Sequence, residues 1–116
     1  MSLLALDLQV VKGVASAGTG GAAFAIVSAV DPDGIPVLLD EGDFTFTLIE
    51  AGAGREAPMQ HVFNGERSSV VRFFSLFPGP KGSQDPWSEG EFFVLVRAQS
   101  ARGDGLAVGA LTVPRR

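Results

Sequence analysis

From Asp43 to Glu50 the chain reads Asp-Phe-Thr-Phe-Thr-Leu-Ile-Glu, with Phe44, Phe46 and Leu48 on one face and Thr45 and Thr47 on the other. A period of two predicts a β-strand with one buried side. The same reading predicts strands near 4–11, 22–30, 68–77, 91–99 and 105–113, with "MQHVF" as a shorter candidate. In the first of these, Leu4, Leu6, Leu8 and Val10 oppose Asp7 and Gln9. The 68–77 and 91–99 segments are apolar on both faces apart from Arg72 and Arg97, which suits inner strands. Residues 21–30 are ambiguous because alanines permit a helix, but Gly20-Gly21 precede them and Asp31-Pro32 stop them. A strand is preferred. The expected core takes the larger apolar residues of each pattern: Leu6, Leu8, Phe24, Ile26, Phe46, Leu48, Phe74, Val94, Val96 and Val108.

Clusters of glycine, proline, asparagine and aspartate separate these short runs. That rhythm predicts an all-β fold, an antiparallel β-sandwich of about seven strands in one domain over residues 1–116. The longest irregular stretch, Pro78 to Gly90, holds the sole tryptophan, Trp87. A loop of that length in a small domain is more often functional or mobile than inert.

Composition removes several chemistries. The chain has no cysteine, so it has neither a disulfide framework nor a thiolate zinc site. Thirteen acidic residues against nine basic ones give a net charge of −4. With the bases scattered, nucleic acid is not an expected partner. The opening "MSLLALDLQVVKG" lacks a basic start, and Asp7 interrupts its apolar run, so it is read as neither signal peptide nor membrane span. Compartment stays open.

Gly18-Thr19-Gly20-Gly21-Ala22-Ala23 matches a dinucleotide-binding spacing. That chemistry needs a helix facing the pyrophosphate within a parallel sheet, whereas the segments that follow read as strands. Asp31-Pro32-Asp33-Gly34 begins like a calcium loop, but its twelfth position is Gly42, where a bidentate glutamate is required. Asp31, Asp33 and Asp43 therefore stay weak metal candidates, and the expected role of the group is a turn. His61, the single histidine, has no nucleophile elbow to serve, and no cofactor is implied. Arg102-Gly103-Asp104 reads as a hairpin. Trp87, with Asp85 and Lys81 in the same loop, is the candidate binding set. An exposed indole would stack on a partner or a sugar, and a folded-back one would cap the core.

The run "FAIVSAVD", then "DGIPV", then a polar linker and a Phe-Thr-Phe-Thr strand, resembles bacterial immunoglobulin-like domains of the invasin and adhesin type. It is also similar to transthyretin-like sandwiches. The resemblance spans Phe24–Leu48, implies an Asp-Gly turn joining neighbouring strands, and transfers no catalytic residue. The chain departs from antibody domains in having no cysteine pair, no tyrosine and no tryptophan in a strand. The expected function is a non-catalytic structural or interaction module of a cell-surface, virion or secretion assembly. The alternative is a carbohydrate- or small-ligand-binding module using the Trp87 loop, with calcium assistance. Mean hydropathy is +0.26 with 19% charged residues, high enough to imply that a partner protein or a second copy covers an apolar face.

Overall fold

The computed structural model describes residues 3–12, 23–65, 68–83 and 87–113. Among these, the chain forms β1 (Ala5–Lys12), β2 (Ala23–Val30), β3 (Pro36–Val37), β4 (Phe44–Glu50), β5 (Arg55–Ala57), β6 (Met59–Asn64), β7 (Arg72–Pro78), β8 (Gly90–Ser100) and β9 (Gly103–Val113). One 3-10 turn, Glu41–Asp43, precedes β4. The strands form two antiparallel sheets, ordered β1-β2-β7-β6 and β5-β4-β8-β9, with β3 paired to the end of β2. The all-β expectation therefore stands, and residues 23–30 are strand.

Two short strands, β3 and β5, escape the sequence pattern because two or three residues carry no periodicity. The strand expected at 68–77 starts at Arg72 instead. Ahead of it the Val71 N–H donates to Ser69 Oγ at 3.2 Å, a local bond that competes with ladder pairing.

The sheets meet on an aromatic centre. Phe74 of β7, 1% exposed, packs against Phe46 and Phe44 of the opposite sheet at ring separations of 4.9 and 5.6 Å. Its neighbour Phe63 of β6 lies at 5.6 Å in an edge-to-face arrangement. Leu48, Val94, Val96, Leu76 and Phe92 complete this buried layer. Phe46, Leu48, Phe74, Val94 and Val96 are core as expected, and Leu6 and Leu8 pack against it half-buried.

Three expected core residues are corrected. In β2 it is Ala23, Ala25, Val27 and Ala29 that face inward, while Phe24 is exposed and Ile26 is half-exposed. In β9, Val108 faces solvent, and Gly105, Ala107, Gly109 and Leu111 take the inner side. The reason is space. β1 closes over β9, with the Leu4 N–H donating to the Asp104 carbonyl at 2.7 Å and a parallel bridge between Leu3 and Asp104. A Cβ on Gly105 would lie 2.8 Å from the Leu4 carbonyl oxygen, and one on Gly109 would lie 2.6 Å from Val10 Cγ2. In β9 the small face is buried because only small residues fit beneath β1 at Gly105 and Gly109. On the far side the chain itself crosses between sheets at Pro58, from β5 into β6.

Gly105→Ala should therefore destabilise the fold by about 1–3 kcal/mol, because the obstructing atom is backbone. A urea midpoint equal to that of the parent would show that β1 is not seated on β9.

Candidate functional site

The Pro78–Gly90 connection is tied to β6 by Gln60. The Gly82 N–H donates to Gln60 Oε1 at 3.0 Å, and Gln60 Nε2 donates to the Ser83 carbonyl at 3.3 Å. Trp87 folds back: it is 4% exposed, and its ring stands edge-to-face with Phe92 at 6.4 Å. Buried this way, the indole presents no face on which a sugar could stack. It lines a shallow cleft with Pro58, Pro78 and Pro80, whereas exposed Lys81 borders a separate depression beside Met59 and His61. Asp85 lies outside the described residues. The structure does not bring Trp87 and Lys81 into one site.

The carboxylates work locally. Asp31 Oδ1 accepts the N–H groups of Asp33 and Ile35, each at 2.9 Å. The Gly34 N–H closes the same turn onto the Asp31 carbonyl, with φ +81°, a backbone state that glycine adopts without strain. Asp43 Oδ2 accepts the Asp40 N–H at 3.0 Å. Among the described residues, no three acidic or histidine side chains converge as a metal site. Of the Gly18–Ala23 motif, only Ala23 is described, and it opens β2 rather than a helix. Arg102 lies in the turn between β8 and β9, where Ser100 Oγ accepts its N–H and donates to the Gly103 carbonyl.

His61 points into the aromatic centre, its ring 5.2 Å from Phe46 and 6.0 Å from Phe74, yet part of it reaches solvent at the open β6 edge. Partial burial lowers its pKa below the ordinary 6.5, because the charged ring is poorly solvated there. Arg72 is a buried cation that sequence reasoning placed only as a polar interruption. At 3% exposure, its Nε and Nη2 both donate to the Leu39 carbonyl, at 3.0 and 2.7 Å, and its guanidinium lies 5.4 Å from the Phe63 ring. Its parity with Phe74 and Leu76 was the available signal. It fastens the connection after β3 to β7, a structural use.

What remains is surface. Each sheet's outer face sets a solvent-exposed apolar patch among polar positions. On the β1-β2-β7-β6 sheet this face holds Val11, Phe24, Phe73, Phe77 and Val62, beside a hydrogen bond from Asn64 Nδ2 to Ser75 Oγ. On the other sheet, Phe93, Val108 and Leu106 are 43–59% exposed and flank half-buried Ile49 and Leu95. Single exposed hydrophobic residues are ordinary, but these are adjacent across strands: Phe24 is two residues from Ile26, which pairs with Phe73, and Val108 pairs with Leu95. Among the described residues, no helix is long and apolar enough to cross a membrane. Compared with known proteins, the chain matches no family model, no curated protein and no solved structure.

Trp87→Ala should cost about 3–5 kcal/mol, since it empties a buried aromatic site. A melting temperature unchanged by this substitution would show that the ring does not cap the core.

His61 gives stability a pH dependence of known sign. Its pKa is lower in the folded chain than in the unfolded one, so as pH falls through about 6.5 the unfolded chain takes up the proton first. The contribution of His61 to stability is present above about 6.5 and is lost progressively as pH falls from there towards the lowered folded-state value. In His61→Gln the slope of unfolding free energy over this interval should flatten. An identical slope would place the ring in bulk water.

Proposed function

We propose that the chain is a non-catalytic interaction module of a larger assembly, built on an immunoglobulin-like sandwich. The observation that carries this is the pair of apolar patches on the outer faces. A two-layer sandwich buries one side of each sheet, and a stable soluble monomer keeps the other sides largely polar. Here each outer side holds, among polar neighbours, an exposed patch of aromatic and aliphatic residues, which is surface suited to neighbours.

The strand order supports the immunoglobulin-like assignment. With β3 set aside as part of a connection, let β1, β2, β4, β5, β6, β7, β8 and β9 take the letters A, B, C, C′, D, E, F and G. The sheets then read A-B-E-D and C′-C-F-G, the arrangement of immunoglobulin domains. The ligand-binding alternative draws little support, because the indole it would use is inside the core.

In an extract of its native cells, the tagged chain should elute well above the mass of the purified protein. Phe24→Ser and Phe73→Ser, at exposed positions, should release it to that lower mass without changing its melting temperature. Elution of the parent chain at the purified mass would overturn this reading.

A further inference from the structure

We propose that the outer face of the β5-β4-β8-β9 sheet binds a second copy of this chain, face to face and two-fold symmetric, with the β8 strands antiparallel across the interface. The inference rests on the interaction-module reading and names one of the partners.

Strand β8 carries the argument. Its outward positions in order are Glu91, Phe93, Leu95, Arg97 and Gln99. An apolar pair is bracketed by one acid and one base, spaced evenly about a point between Phe93 and Leu95. Place a two-fold axis there, lying in the interface and perpendicular to the strands. Each residue of β8 then faces its mirror position on the other copy: Phe93 meets Leu95, and Glu91 meets Arg97, twice over.

The flanking strands obey the same operation. Thr47 and Ile49, which pair with Leu95 and Phe93, face each other across the axis, and so do Val108 and Ala110. The other in-plane axis, running along β8, would instead stack Glu91 on Glu91 and Arg97 on Arg97. Charge therefore selects the antiparallel arrangement over the parallel one. Among the described residues neither Glu91 nor Arg97 has an ion-pair partner in its own chain, so both are available. Among the described residues, the opposite sheet's outer face offers no such self-complementary charge pair on a single strand.

Size sets the strength. The outward positions of β8 that face one another, Glu91 to Arg97, span roughly 20 Å, and β4, β8 and β9 at a spacing of about 4.8 Å give about 300 Å² per copy. The total of about 600 Å² of flat area is below that of standard specific interfaces and fits a weak dimer that forms only towards high micromolar concentration. Flat packing of two twisted sheets, strands within about 30° of alignment, is an ordinary geometry.

The test is a charge swap on the purified chain, read by sedimentation equilibrium from about 1 to 200 μM, with far-UV circular dichroism confirming the β fold. The parent should dimerise. Glu91→Arg or Arg97→Glu alone should weaken the dimer at least about tenfold, by setting like charges opposite one another. The double variant should recover most of the parent affinity, and Phe73→Ser on the other sheet should have no effect.

A folded parent that stays monomeric throughout overturns the proposal. So does a dimer indifferent to both single reversals, or one abolished by Phe73→Ser. A monomeric purified chain that still forms a large complex in extract would defeat the dimer and leave the interaction module standing. If a variant fails to fold, Val108→Ser, at an exposed position of the same face, replaces it as the probe, with a weakened dimer expected and an unchanged one contrary.

Discussion

One ring stands at the meeting point of the two sheets. Phe74 comes from the middle of β7, yet its contacts are Phe44 and Phe46 across the sandwich and Phe63 and His61 beside it. Tilted and edge-to-face contacts at such distances add specific electrostatic attraction to the burial of apolar area. They also fix a local thickness. Phe rings fill the space between the sheets on the β4-β7 side, whereas beneath β1 the β9 glycines Gly105 and Gly109 lie directly against Leu6, Leu8 and Val10. Arg72 belongs to the same arrangement. Its guanidinium sits over Phe63 while satisfying the Leu39 carbonyl, so a charge enters the core with polar and aromatic partners already in place.

The inward small residues and the outer apolar patches are connected. Once the small residues of β2 and β9 are turned inward, the large residues alternating with them have only solvent to face. Phe24, Leu106 and Val108 are exposed for that reason. The apolar surface is thus not a failure of burial but the other side of a core whose shape demands alanine and glycine. A neighbour covering either face would give these residues the environment their composition suits.

The architecture was legible from the alternation in β4 and from the turn residues that divide the chain, since a period of two and Gly/Pro punctuation need no tertiary information. Side assignment was legible where one side is polar, as in Thr45 and Thr47, and it also held for Phe74, Val94 and Val96 in the more apolar β7 and β8. In β2 and β9 both sides are apolar, so polarity is silent and the decision passes to size, which depends on what lies across the sandwich. The acidic turn was readable because an Asx turn is local, within five residues of chain. Trp87 could be read only as two alternatives, because loop composition does not tell whether a ring turns in or out. The charge bracket on β8 is present in the sequence, but its meaning needs the knowledge that this side of the strand faces outward.

The alanine side of β2 also bears on how the chain finds its fold. Sliding β2 by one residue against β1 or β7 would present Phe24 and Ile26 to the interior in place of Ala23 and Ala25. In most half-buried strands such a slip exposes apolar residues and is rejected as soon as the sheet forms. Here the slipped hairpin still buries an apolar side, and the penalty arises only when the second sheet arrives and finds no room for the rings. Proofreading of strand register is thereby deferred from hairpin formation to sheet docking.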